Sequence, residues 1–422
     1  MRNPKSGIPS WWGSLRSTHP TSIILAASCL LLFAGADWRQ FRGTDNTSVG
    51  ETGDLPATFD AQSNVAWKID LPGRGPSGPI VVAGRVVVTA SSGPRQDQLH
   101  VLCFDAGTGK QLWHRQLWAT GSTAINGFAA LATPTPASDG QRILALYSSS
   151  DLACFDLDGN LKWFRGLNYE SPTTRNDAGM GSSPLVLGKM VIVQLQNQGE
   201  SFAVGLDAET GENRWRIERD HNAIWSSPTA LRGAKPEADA FLLHGRAGLS
   251  VHDPATGKTL AEYAAPVDTI PSVTTCDDRV YLPGVGLHAL RWDGAAHTLT
   301  RLWYEQRLRS ENASPVAQGD RVYTIKSAGV LACADAATGR TLWQLRLTGP
   351  FWATPVLAGG RLYCVNHRGL VQAVQLGEEG KLLGTSQLDA GILASPAVAQ
   401  GAIYFRSDAH LWKVSFPGAP SQ

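Results

Sequence analysis

Two tryptophans stand three residues before a proline, in the strings Trp225-Ser226-Ser227-Pro228 and Trp352-Ala353-Thr354-Pro355. A flat indole at such a place offers a stacking floor for a ring-shaped ligand, or else a plug for a channel. Polar side chains gather around comparable prolines: Arg74, Asn126, Arg175, Asn176, Asp177, His221, Arg309, Asn312 and the turn His367-Arg368. Loops on a rigid scaffold are where binding concentrates. Solvated loop polarity would produce the same composition. Arg74, Asn126, Arg175, Asn176, Asp177, His221, Trp225, Asn312, Trp352, His367 and Arg368 are therefore read as a candidate binding rim, with no catalytic residue and no metal site assigned.

Other chemistries are poorly represented. The sequence has no His-Glu-x-x-His, no Gly-x-Ser-x-Gly and no P-loop. Its ten histidines are scattered, and His244 and His252 fall within strand-like runs, where they read as core or edge residues. Gly284-Val285-Gly286 reads as a strand turn, since no helix follows. Five cysteines follow residue 36, and Cys103, Cys154 and Cys333 each precede a turn aspartate by two residues, where other units hold Gly205 and Val251. A position that accepts Cys, Gly and Val is a small core site, so these are read as structural thiols. All 36 acidic residues follow residue 36, against 34 of the 37 Lys and Arg, a balance that offers no footprint for nucleic acid.

The elements that position the rim are repeated. The string Gly84-Arg85-Val86-Val87-Val88, then Val101-Leu102-Cys103-Phe104-Asp105-Ala106-Gly107-Thr108-Gly109, then Trp113 recurs as Gly319-Asp320-Arg321-Val322-Tyr323, Val330-Leu331-Ala332-Cys333-Ala334-Asp335-Ala336-Ala337-Thr338-Gly339 and Trp343. Prolines at 79, 134, 184, 228, 271, 315, 355 and 396 mark eight units. Short β-branched runs bounded by Gly, Asp and Pro at this spacing predict an all-β, eight-bladed β-propeller with four-stranded antiparallel blades. Asp…Thr-Gly is a turn with a mechanism, because Asp binds its own downstream backbone and Gly accepts positive φ. Trp67, Trp113, Trp163, Trp215, Trp303 and Trp343 are expected to dock neighbouring blades. Ala261 replaces the Trp in the fourth unit, and the seventh has none. The eighth unit runs out at Trp412-Lys413-Val414, and residues 65–71 have the form of its missing strand, so they are expected to close the ring.

Residues 21–36 follow a basic leader, form a short apolar stretch and end in small residues at Ala34 and Ala36. This reads as a signal peptide over 1–36, hence export to the periplasm or beyond, with no transmembrane domain after cleavage. Apolar residues continue past Cys29, which argues against a lipid anchor there. The remaining organisation is a lead-in segment 37–64, the propeller 65–416 and a tail 417–422. Two long connections, 117–133 and 166–181, adjoin the second and third units and place the expected partner surface on that side.

The repeat resembles the pyrroloquinoline quinone (PQQ) repeat over residues 65–416, and Asp37-Trp38-Arg39-Gln40-Phe41-Arg42-Gly43 resembles the start of exported propellers of that family. The resemblance implies one of two branches. Quinoprotein dehydrogenases hold PQQ and Ca²⁺ in the central funnel, under two adjacent cysteines, with Glu, Asn and Asp on the cation and an Asp as base. A non-catalytic branch includes the propeller of the outer-membrane barrel assembly machine. This chain has no Cys-Cys pair, and only Asn126, Asp177 and Asn312 offer oxygen groups near the unit starts. The expectation is a monomeric, non-catalytic, BamB-like scaffold of the cell envelope that binds proteins or peptides at its rim without a cofactor. The alternatives are a PQQ- and calcium-dependent dehydrogenase of alcohols or sugars, and a carbohydrate- or peptide-binding propeller.

Overall fold

A computed structural model describes residues 36–50, 53–174 and 179–417. Residues 1–35 of the expected signal peptide, and Arg175, Asn176 and Asp177, lie outside the described residues. Eight four-stranded antiparallel sheets form a propeller. Blade one is Ile80–Val82, Arg85–Ser92, Gln98–Asp105 and Gln111–Trp118. Blades two to seven span 137–166, 185–218, 229–264, 274–305, 316–346 and 356–387 in the same order. Blade eight takes three strands from 397–414 and its outer strand from Val65–Asp70, which pairs antiparallel with His410–Val414. The ring is thus closed by the N-terminal strand. No helix of the described residues is long and apolar enough to cross a membrane.

The proline register differs from the sequence reading in two blades. The structural equivalents of Pro79, Pro184 and Pro315 in blades two and five are Pro136 and Val273, two residues beyond Pro134 and Pro271. The correction follows from a hydrogen-bonded ring. Backbone N–H groups donate in succession from Gly78 to Thr135 Oγ1, Thr135 to Ser183, Ser183 to Ser227, Ser227 to Ser272, Ser272 to Ser314, Ser314 to Thr354 and Thr354 to Ser395, all at 2.9–3.0 Å. Each donor and each acceptor sits one residue before the repeat's proline position. At Gly78 a Cβ would lie 2.8 Å from the Ser395 carbonyl oxygen, so the circle needs glycine to close.

The outer strands are joined by a second device. The indole N–H of Trp67, Trp113, Trp163, Trp215, Trp303 and Trp343 donates to a turn carbonyl of the following blade, at Ala106, Leu157, Ala208, Pro254, Ala336 and Gly377, over 2.9–3.3 Å. A turn glycine of that blade lies flat under each ring. A Cβ on Gly109, Gly159, Gly211, Gly257, Gly339 or Gly380 would stand 2.5–2.9 Å from the indole. Within its own blade each of Trp113, Trp163 and Trp343 pairs across from Cys103, Cys154 or Cys333, and Trp215 from Gly205. The position is small because the indole covers it. Burial pushes the Cys103 and Cys154 thiols up to about 12.

Two junctions lack the tryptophan. Between blades four and five the outer strands Thr259–Ala264 and Thr298–Glu305 pack directly, with Leu260, Ala261, Trp292 and Leu299 in one apolar cluster. Between blades seven and eight the vacated place is Gly384, and the Thr58 methyl of the lead-in segment fills it. Phe59 then packs on Phe405, ring centroids 5.6 Å apart.

The lead-in segment also passes beneath the axis. Trp38 exchanges N–H···O bonds with Val81 (2.8 and 2.9 Å), Arg39 O accepts from Ser138 N–H, and Gln40 Oε1 from Val186 N–H. Asn46 Oδ1 accepts from Ala230 N–H. Ser48 O accepts from Leu357 N–H, and Gly50 N–H donates to Leu357 O. The wholly buried Arg42 donates to Val273 O at 2.8 Å and Thr274 Oγ1 at 2.6 Å. Six first strands, those of blades one to five and seven, therefore find partners in this one segment.

Two predictions follow from these contacts. Gly159→Ala forces a Cβ to 2.6 Å from the Trp113 indole, at φ +81°. It is expected to destabilise the fold by about 1–3 kcal/mol, read as a lower urea midpoint; an unchanged midpoint contradicts the latch. Burial also lowers the pKa of His100, His244 and His252 from 6.5 to about 4. Between those values the unfolded chain binds more protons, so stability is retained above pH 6.5 and lost as pH falls toward 4. Urea midpoints that do not fall between pH 6.5 and 4.5 contradict neutral buried imidazoles.

Candidate functional site

Extended backbone points alternate residues to the same side. At the start of each blade this brings two positions to the axis. The residue before the repeat's proline position supplies a ring of hydroxyls: Thr135, Ser183, Ser227, Ser272, Ser314, Thr354 and Ser395. The residue two places earlier supplies a second ring: Pro76, Thr133, Gly181, Trp225, Ile270, Asn312, Trp352 and Leu393. Together they enclose a cavity of roughly 280 Å³ on the axis. Phe41, from the lead-in segment, also lines it and closes its base. Each hydroxyl already accepts a backbone N–H, which leaves its O–H as the group able to donate.

The loop between blades one and two covers the mouth. Asn126 Oδ1 accepts the Phe128 N–H at 2.9 Å, so Asn126 shapes the turn that presents Phe128. Phe128 stacks on Trp352, with centroids 5.6 Å apart and planes 16° from parallel, and meets His367 at 6.0 Å. Arg74 pins this loop, donating to Gly127 O and to Asp408 Oδ2 at 3.2 and 3.1 Å. Trp225 is held from the other side, its indole N–H on Gly179 O at 2.7 Å. None of the described residues lining the cavity carries a charge.

Asn126, Trp225, Asn312 and Trp352 therefore line one cavity. Arg74 and His367 belong to a neighbouring cavity at its edge. His221 and Arg368 are exposed and line neither. The long loop 119–136 does not project outward beside blades two and three, because Phe128 reaches across to Trp352 and His367 of blade seven and Gly127 accepts from Arg74 at the entry of blade one. Trp118 and Tyr169, 60% and 81% exposed, do remain on the blade one–two side. The sequence reading missed Phe128, whose stacking partner is more than two hundred residues away. It also missed Pro76, Thr133, Gly181, Ile270 and Leu393. Those five were readable in principle, as the residue three before the repeat's proline position in each blade.

The cofactor implied by the dehydrogenase branch can be tested against these residues. Calcium takes six to eight oxygen ligands, carboxylates prominent among them. The described lining offers the amides of Asn126 and Asn312 and neutral hydroxyls. Among the described residues no group of three or more His, Cys, Asp or Glu is placed to hold a metal ion. No two cysteines are adjacent in the sequence, and the described ones are separate free thiols. These residues do not fit PQQ with calcium, and no step through that cofactor is derived.

Comparison with known proteins agrees with the fold. The sequence matches the family model described as outer membrane protein assembly factor BamB over residues 40–199, 172–272 and 201–416. The structure is similar to BamB from Moraxella catarrhalis, at TM-score 0.62 and 18% identity, covering 84% of this chain and 98% of that one. It is also similar to a europium-containing methanol dehydrogenase, at TM-score 0.64 and 15% identity, covering 88% and 90%. Quinohemoprotein alcohol dehydrogenase from Comamonas testosteroni gives TM-score 0.65 and 13% identity, covering 89% and 80%. At such identities the likeness shows the fold alone. No curated protein matches the sequence.

Proposed function

The chain belongs to the PQQ-type propeller family whose model is described as outer membrane protein assembly factor BamB, and from that membership we propose a non-catalytic, protein-binding propeller of the cell envelope. The observation that carries this reading is the chemistry of the cup. It is closed at its base, uncharged among the described residues, and framed at its mouth by Phe128 and Trp352. Phe128 is 55% exposed. Its volume, roughly 280 Å³, falls just below the ~300–1,000 Å³ of clefts that engulf a small ligand. That is room for a side chain of a partner protein and scant room for a large cofactor. An aromatic shelf beside a rigid apolar well is the usual form of an anchor site in a protein interface.

In this reading the leader 1–36 exports the chain, and the partner is an envelope protein. An apolar side chain of that partner enters between Trp225 and Trp352, while the loop 119–136 and the exposed Trp118 and Tyr169 extend the contact over blades one and two. The hydroxyl ring beneath donates to the partner's backbone or to water. Neither a redox cofactor nor a metal takes part.

The test is site-specific photo-crosslinking in the native cell. A photoreactive residue in place of Phe128 is expected to give a discrete adduct with an envelope protein, and Leu393→Glu, which charges the cup, is expected to abolish it. The same probe at Gln318, at the opposite end of the blades, is expected to give none. Equal labelling from both positions, or an adduct indifferent to Leu393→Glu, would overturn the proposal.

A further inference from the structure

Beside the funnel lies a second cavity of roughly 370 Å³, and it is charged. Its walls include Arg74, His367, Arg406 and Asp408, together with the apolar Phe128, Leu393, Pro76 and Ala409. Arg406 closes the strand Ala402–Arg406 and is wholly buried. Its Nη1 donates to the Ser77 carbonyl at 3.1 Å and to Ser77 Oγ at 2.5 Å. Its Nε and Nη2 have no hydrogen-bond partner. Those two groups form the side edge of the guanidinium, the fork that a carboxylate takes with two parallel bonds.

The nearest acid does not supply that partner. Asp408 Oδ1 accepts the Gly75 N–H at 2.9 Å, and Oδ2 accepts Arg74 Nε at 3.1 Å. Asp408 is thus committed to Gly75 and Arg74, and the two guanidinium groups against one carboxylate leave the cavity an uncompensated positive charge. Burial acts on Arg406 in the expected direction, pulling its pKa below the ordinary value to about 10. A buried cation with an unpaired donor edge is costly unless a partner arrives. Gly75 borders the guanidinium with a bare Cα, and any Cβ there would collide with it.

We propose that this side cavity is a binding site for an organic carboxylate whose apolar body lies against Phe128 and Leu393 and whose oxygens take the Nε/Nη2 edge of Arg406. Arg74 attracts the anion at the rim, and Asp408 limits its affinity by repulsion. The site is independent of the protein-binding reading of the funnel, although the two cavities share Pro76, Phe128 and Leu393. The carboxylate has two sources, a free small acid or an acidic side chain of a bound chain.

Calorimetric titration of the purified protein with 3-phenylpropionate and with its uncharged amide, 3-phenylpropanamide, tests the site. The acid is expected to bind saturably and the amide at least about tenfold more weakly, a factor equal to about 1.4 kcal/mol. The Arg406 Nε–H resonance is expected to shift with the acid only. Arg406→Gln removes a buried group and risks the fold, so the informative variants are the partly exposed ones. Asp408→Asn is expected to tighten binding severalfold and Arg74→Gln to weaken it severalfold. The doubly blocked peptide N-acetyl-phenylalanyl-glutamyl amide separates the sources. Binding of the peptide as well as the acid assigns the site to a chain, and binding of the acid alone assigns it to a small molecule. Equal binding of acid and amide, no binding by acid or peptide, or an unmoved Arg406 resonance would overturn the proposal.

Discussion

Eight first strands crowded around one axis leave their axis-side N–H groups with no further strand to pair with, and that constraint shapes the rest of this propeller. A buried N–H without a partner costs about 1–3 kcal/mol, so eight repeating blades cannot leave the problem unsolved. Near the funnel the solution is a hydroxyl from the next blade, repeated seven times from Gly78 to Ser395. Beneath it the solution is foreign to the repeat. The lead-in segment lays carbonyls and the side chains of Gln40, Arg42 and Asn46 across the strands of six blades. The same segment that satisfies the axis also floors the cup with Phe41. Fold and site therefore share one origin.

Much of this architecture was legible because it is periodic. The blade count, the closing strand 65–70 and the Trp positions all rest on local grammar repeated every forty to fifty residues. The turn aspartates are an example: Asp105 Oδ1 accepts from both the Thr108 N–H and its hydroxyl at 2.8 and 2.7 Å, a contact fixed by three residues of sequence. Reading failed where the repeat varies by substitution and not by spacing. Thr133-Pro134-Thr135-Pro136 carries prolines at two alternating positions, and blade five places Val273 where most blades place proline. Both shifted the register by two, which hid Thr133 and Ile270 of the upper ring.

The site was legible only where its members are chemically conspicuous. Trp225, Trp352 and Asn312 stand out in any sequence; Pro76, Ile270 and Leu393 do not, although they occupy the same ring. Phe128 and Arg406 gain their roles from contacts spanning hundreds of residues, with Trp352 and with Ser77. No local pattern announces such contacts. Conversely, His221 and Arg368 have the right chemistry near the right turns and are exposed away from both cavities. Residue type marks a candidate, and only the axis decides which candidates meet.

The two branches that the resemblance to the PQQ repeat implies divide on what the funnel holds, so occupancy is the direct question. Trp225 and Trp352 report it from inside the cup. Titrating the purified protein with PQQ, with and without calcium, and then assaying dye reduction with alcohols and sugars measures it. The account predicts no calcium-dependent, saturable tryptophan quenching and no turnover, because the described lining offers an uncharged cup. Calcium-dependent quenching followed by dye reduction would contradict it and make this chain a dehydrogenase.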